Sequence, residues 1–129
     1  MNNDPFMKRY IEMGNDLHKL YPGNKYYYYY VDDVVVAQAY VQPPKLDKHP
    51  MLRSGMNGMY YIWAVETHPE FRGKGYATKL LKKIIKGDRK YFLAVLRENK
   101  IARSLYTKLG FKKDHYYNKH IIIMKLNFD

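Results

Sequence analysis

Apolar positions recur along this chain with two periods. Phe6, Tyr10, Met13, Leu17 and Leu20 fall on one helical face. Asp4 is placed to cap that helix, Pro5 suits its first position, and Pro22-Gly23 ends it after Tyr21. Five consecutive tyrosines, Tyr26 to Tyr30, and the run Val34 to Val41 flank Asp32-Asp33, the pattern of a hairpin. A row of tyrosines can also form a stacking platform for bases, but the turn and the second apolar run favour the hairpin. Gly58–Glu66 and Tyr91–Leu96 are apolar runs of strand length. Between them Ala77, Leu80, Leu81, Ile84 and Ile85 predict an amphipathic helix over Lys74–Lys86. A further helix is predicted over Asn99–Leu109, stopped by Gly110, followed by strands at Phe111–Tyr116 and His120–Leu126 with Asn118-Lys119 at the turn. The order is α-β-β-β-α-β-α-β-β, a mixed α/β sheet with helices packed on it. One segment breaks the pattern. Gln42–Asn57 contains Pro43-Pro44, Pro50 and Ser54-Gly55 and is expected to be a lid or a mobile loop, with His49 and Arg53 read as solvated side chains rather than substrate ligands, although this loop is where substrate contact is plausible.

Composition narrows the class. A chain of 129 residues, 47% hydrophobic, is expected to form one domain around a single core. No apolar run approaches the roughly 20 residues that span a bilayer, and no charged-then-apolar leader opens the sequence. A soluble, cytoplasmic protein is the expectation. Cysteine is absent, which excludes disulfides and a thiol nucleophile. The five histidines and the carboxylates show no ligand spacing, so no metal is expected. No oligomeric state is encoded in the pattern; a homodimer is compatible with it.

The net charge of +11 has two accounts. One is a nucleic-acid partner along the basic helix face. The other, favoured, is a lysine-biased composition plus an anionic cofactor. Residues 72–90 hold eight Lys/Arg against one Asp, so much of the excess surrounds one short stretch. That stretch is Arg72-Gly73-Lys74-Gly75-Tyr76-Ala77, between a predicted strand and a predicted helix. The first turn of a helix leaves backbone N–H groups without partners, and the helix dipole makes that end partly positive. Glycines there admit close approach of a ligand, so the stretch can cradle a phosphate or pyrophosphate. It is not a P-loop, because no Gly-Lys-Ser/Thr closes it. The third glycine and the distal acid of a dinucleotide fingerprint are missing as well.

A second stretch, Asn99-Lys100-Ile101-Ala102-Arg103-Ser104-Leu105-Tyr106-Thr107-Lys108-Leu109-Gly110-Phe111, follows the Tyr91–Leu96 run. Together the two stretches resemble the GNAT superfamily of acyl-CoA-dependent N-acetyltransferases. The first matches its Arg/Gln-x-x-Gly-x-Gly/Ala loop at Arg72, Gly75 and Ala77. The second matches its Asn-x-x-Ala-x-x-Leu-Tyr-x-x-x-Gly-Phe helix at every named position. The resemblance covers about Tyr60 to Phe111. It implies a mostly antiparallel mixed sheet, and direct transfer of an acetyl group from acetyl-CoA to an amine acceptor of a small molecule or protein. Only three residues precede Asp4, so the family's first strand is expected to be missing or vestigial.

The resemblance also distributes roles. The backbone amides of Arg72, Gly73, Lys74, Gly75, Tyr76, Ala77 and Thr78 would hold the pyrophosphate. Val65 and Thr67 would pair with the pantetheine arm where their strand splays from the one holding Tyr91–Leu96. Asn99 would contact the cofactor, a role compatible with its plain use as a helix cap. Tyr106 would donate to the departing sulfur; spacing alone makes it equally a core tyrosine. The acidic bases of two known subtypes align near Tyr61 and Ala94, neither of which is acidic. Glu66 is the candidate base, with His68, Tyr61 or a water chain as the other candidates. The alternative to an enzyme is a catalytically inactive GNAT-fold module that binds coenzyme A or nucleic acid.

Overall fold

The computed structural model describes residues 8, 23–45 and 48–128. Apart from Lys8, the helix expected from Asp4 to Tyr21 lies outside the described residues. Six strands follow one another as β1 Lys25–Val31, β2 Val34–Gln42, β3 Met59–Thr67, β4 Lys90–Leu96, β5 Lys112–Tyr116 and β6 Ile121–Leu126. Helix α1, Tyr76–Ile84, lies between β3 and β4, and α2, Lys100–Lys108, between β4 and β5. The strands form one mixed, mostly antiparallel sheet in the order β1-β2-β3-β4-β6-β5. From Tyr26 onwards the observed order is the expected one. The chain builds two compact units, residues 1–42 with 64–84 and residues 43–63 with 85–129.

In the first unit β1 and β2 pair antiparallel from Lys25↔Val41 to Val31↔Val34, with a bulge between Tyr29 and Tyr30. Asp32 and Asp33 make the turn with φ of 50° and 65°. Two positive φ values suit a tight hairpin between right-twisted strands, and aspartate tolerates them better than most residues. The tyrosines serve the hairpin rather than an open platform: Tyr26 meets Tyr40 edge-on at 4.7 Å, and Tyr29 lies 5.6 Å from Tyr76. β2 is the centre of the unit, with Val35, Val36, Ala37, Gln38, Ala39 and Tyr40 all at 0% exposure. Helix α1 buries Ala77, Leu80, Leu81 and Ile84 and packs on β1 and β2. It is shorter than the predicted Lys74–Lys86. Gly75, with φ of 79°, stands just before it. Beyond its end the Lys86 amide donates to the Tyr91 hydroxyl at 3.0 Å, and Arg89 N closes a turn on Lys86 O.

In the second unit β4 pairs with β6 antiparallel from Tyr91↔Leu126 to Leu96↔Ile121, and β5 completes that edge. β3 and β4 run parallel, but their ladder holds only Met59↔Lys90, Tyr60↔Tyr91 and Tyr61↔Phe92. Leu52, Met56, Met59, Phe92 and Ile123 form a core cluster. Asn99 caps α2 by accepting from Ala102 N at 3.1 Å. At the other end Gly110 N bonds Thr107 O and Phe111 N bonds Tyr106 O, both at 3.0 Å. That pair is a Schellman stop, and Gly110 has the left-handed φ of 104° it requires.

The 42–57 segment departs from expectation. Among its described residues some side chains are buried or tied down, while Arg53 and most of the others stay exposed. Leu52 and Met56 are buried in the core cluster. Arg53 grips Asp114 with two hydrogen bonds, Nε to Oδ2 at 2.8 Å and Nη2 to Oδ1 at 2.9 Å. His115 Nε2 meets Met51 O at 2.9 Å, and Lys48 Nζ donates to Leu52 O. Long loops often stay loose because their polar backbone cannot be buried unpaired; here two apolar side chains and one buried carboxylate bring it inward.

Candidate functional site

The glycine-rich loop belongs to the first unit. His68 follows β3 and caps a single 3-10 turn, Pro69–Phe71, by accepting from Glu70 N at Nδ1, 3.1 Å. His68 is buried, its N–H bonds Val36 O at 2.7 Å, and its ring meets Phe71 edge-on. Arg72 leaves that turn extended and sends Nε back to Thr67 O at 3.3 Å. Gly73 and Gly75 both have φ of 79°, and a Cβ added to either meets nothing within 4 Å. The glycines are therefore demanded by backbone conformation, and the space over them is open. Lys79 N to Gly75 O at 3.0 Å starts the α1 ladder. The first-turn amides of Tyr76, Ala77 and Thr78 thus have no helical acceptor and suit an anion. Lys74 and Lys79 stand over the Phe71 and Tyr76 rings at 5.4 and 5.5 Å, adding positive charge beside the loop.

Just before this loop, β3 kinks. Ala64 has φ of 53°, which a non-glycine residue rarely adopts inside a strand. Val65, Glu66 and Thr67 follow it, each half-buried. Sequence reasoning placed all three at the site but had no signal for the kink, because alanine fits a regular strand.

Tyr106 and Asn99 belong to the second unit, on α2. The Asn99 side-chain oxygen is engaged by Ala102 N, so the plain capping role is real and its amide nitrogen is left to donate outward. Tyr106 is buried and its ring meets Phe111 edge-on at 6.0 Å. Its hydroxyl has no hydrogen-bond partner among the described residues. Burial pushes the phenol up to about 12. Such a phenol stays protonated and can donate a hydrogen bond. Full proton transfer to a thiolate, whose conjugate acid lies near 8.5, runs uphill.

Tyr61 and His68 fare differently from Glu66 as candidate bases. Burial raises the Tyr61 phenol above its ordinary value, away from a base at neutral pH. Its ring is stacked on Phe92 at 4.7 Å and 6°, and on Trp63 at 6.2 Å and 14°. His49, expected to be solvated, stands instead against Tyr61 and Phe92 at 5.0 and 5.4 Å. Burial, and then Lys45 and Lys48, lower its pKa, and its Nδ1 accepts from Met51 N. The neutral ring thus carries its proton on Nε2 and offers a donor, not a base. The His68 Nδ1 is likewise engaged in its cap. No group of three or more potential metal ligands occurs among the described residues, and no described helix is long and apolar enough to cross a membrane.

The model of the acetyltransferase (GNAT) family matches residues 2–111. No curated protein sequence matches the chain. Among solved structures, the chain resembles the PaiA N-acetyltransferase of Thermoplasma acidophilum in complex with coenzyme A. The identity is 18%, over 91% of this chain and 69% of that one, with a TM-score of 0.65. It resembles Arabidopsis thaliana Naa50, solved with the bisubstrate analogue CoA-Ac-MVNAL, at 19% identity over 80% and 72% of the two chains, TM-score 0.61. The ribosomal-protein-S18-alanine N-acetyltransferase of Escherichia coli matches at 19% identity over 81% and 68%, TM-score 0.61.

Proposed function

The chain belongs to the GNAT acetyltransferase family, and from that premise we propose that it is one N-acetyltransferase-like domain that moves an acetyl group from acetyl-CoA directly to an amine. The observation that carries the cofactor half is the open loop: two glycines at positive φ, space above both, and first-turn amides without acceptors. The amides from Arg72 to Thr78 hold the pyrophosphate. Val65 and Thr67 offer backbone groups to the pantetheine arm, and Asn99 donates from its free amide nitrogen. Structural relatives solved with coenzyme A or a coenzyme A–peptide conjugate support this assignment.

In the transfer, the amine nitrogen bonds to the thioester carbon, the carbon–sulfur bond breaks, and the amine's proton leaves to a base. Glu66 is that base. Tyr106 donates its hydroxyl hydrogen bond to the departing thiolate, an interaction that strengthens as charge develops on sulfur. Because its phenol lies near 12, it stabilises the thiolate and solvent protonates it. The acceptor is an amine of a small molecule or of a protein; a chain of net charge +11 repels polycationic acceptors.

The test is steady-state release of the coenzyme A thiol over a panel of small amines and peptide N-termini, run beside acetyl-CoA binding. Tyr106→Phe keeps the ring and removes the hydroxyl. Turnover should fall roughly 10–10³-fold with the acetyl-CoA dissociation constant nearly unchanged. Retained turnover removes the donor role. Parallel loss of turnover and affinity makes Tyr106 a binding residue. Binding of acetyl-CoA with no turnover on any amine sinks the enzymatic reading and leaves a coenzyme A-binding module.

A further inference from the structure

Gln38 is the lone amide in the buried run Val35-Val36-Ala37-Gln38-Ala39-Tyr40-Val41, and its exposure is 0%. Its Nε2 donates to Ala64 O at 2.8 Å, 26 residues away. Its Oε1 is buried and has no hydrogen-bond partner among the described residues. A buried acceptor left unpaired lowers stability, so an apolar side chain of the same length would serve the core at least as well. The glutamine therefore needs another reason.

The position of Ala64 supplies it. Its φ of 53° turns the β3 backbone out of regular strand geometry. Its carbonyl is taken by a side chain of β2. Four residues on, His68 N bonds Val36 O at 2.7 Å. Val65, Glu66 and Thr67 lie between these two anchors, so β2 holds both ends of that segment, one by a backbone bond and one by the Gln38 amide. A non-glycine residue at positive φ persists only where its surroundings fix it, and Gln38 is the group that does so here.

We infer that Gln38 is a positioning residue: its carboxamide fixes the kink at Ala64 and thereby sets the backbone of Val65 to Thr67 for the pantetheine arm of a coenzyme A thioester. The inference rests on the cofactor reading above. Gln38 touches no ligand in this role. It acts through Ala64.

Three proteins test it: wild type, Gln38→Met and Gln38→Glu. Methionine matches glutamine in length and cannot donate to Ala64 O. The ligand-free melting temperature of Gln38→Met should stay close to wild type, since an unpaired acceptor is removed as a bond is lost. Its acetyl-CoA dissociation constant should rise at least about tenfold, the scale on which misplaced binding groups act. In Gln38→Glu the desolvated carboxyl stays protonated well above its ordinary range and can donate to Ala64 O. Affinity should be near wild type at low pH and fall as the introduced carboxyl ionises, a dependence absent from the other two proteins. Without ligand, the amide resonances of Val65 to His68 should shift in Gln38→Met. Wild-type affinity in Gln38→Met overturns the inference. So does an affinity that falls together with the ligand-free melting temperature and shows no pH-dependent recovery in Gln38→Glu. Unmoved Val65–His68 resonances overturn the kink assignment whatever the ligand does. If wild type itself binds no acetyl-CoA, the cofactor reading fails first, and the resonance experiment alone decides whether Gln38 holds the kink.

Discussion

The two connecting loops of this protein invert what their lengths suggest. The short one, between β3 and α1, is exposed from Arg72 to Gly75 and leaves donors without acceptors. The long one, between β2 and β3, is tied down by Leu52, Met56, Arg53 and the Met51 carbonyl. The difference lies in what each segment can bury. Gly73, Lys74 and Gly75 have nothing apolar to place in a core, so their backbone stays outside. Met51, Leu52 and Met56 do have apolar surface, at roughly 25 cal/mol per Å². Asp114, whose side chain is 2% exposed, gives Arg53, His115 and Lys125 one shared partner. Openness here is a matter of side-chain chemistry and left-handed backbone, and only the short loop has both.

Substitutions should separate the two loops. The largest effect is expected from Gly75→Val. A β-branched residue at φ of 79° is strained by about 1–3 kcal/mol, and its side chain enters the open space a phosphate would take. Thermal shift by acetyl-CoA should vanish while the circular dichroism spectrum stays native. An undiminished shift places the cofactor elsewhere.

Next in size is Asp114→Asn. The bidentate bond from Arg53, with added bonds from His115 and Lys125, holds the Asp114 carboxyl well below the usual carboxylate range. A depressed carboxyl supplies stability above the unfolded-state value, near 4, and loses it as pH falls toward the folded value. At neutral pH the variant should lose about 2–3 kcal/mol in urea unfolding. The wild-type decline in stability below about pH 4 should flatten in the variant. Acetyl-CoA affinity should stay within about twofold, because Asp114 bonds Arg53, His115 and Lys125 and shares no partner with the glycine loop. A large drop in affinity would mean the two loops are energetically one system.

The smallest effect belongs to Arg53→Met. Its side chain is 47% exposed, so its bond to Asp114 is screened by solvent, and the loss in urea unfolding should be smaller than that of Asp114→Asn and smaller still at high salt. Losses equal to those of Asp114→Asn would make Arg53, rather than the three partners together, the tie that holds the long loop.

Much of the fold was legible in the sequence because its signals are local. Apart from the helix expected over Asp4–Tyr21, which lies outside the described residues, the strand and helix periods, the Asp32-Asp33 turn, the Asn99 cap and the Gly110 stop each depend on residues within a few positions, and each appears in the structure. The glycine loop is of this kind too: positive φ and free amides follow from Gly73 and Gly75 themselves. Tertiary structure decided the rest, because the partners lie far apart along the chain. The Arg53–Asp114 tie spans 61 residues, His115 to Met51 spans 64, and Gln38 to Ala64 spans 26. Neither member of any pair announces the other. Arginine in a proline-rich loop reads as solvated until a buried carboxylate stands opposite. Alanine reads as ordinary strand until a glutamine of the preceding strand takes its carbonyl. The helix over Lys74–Lys86 likewise reads as continuous until the Tyr91 hydroxyl takes the Lys86 amide beyond its end. Periodicity sets which residues prefer each element, and only the folded chain sets which distant group satisfies each polar atom.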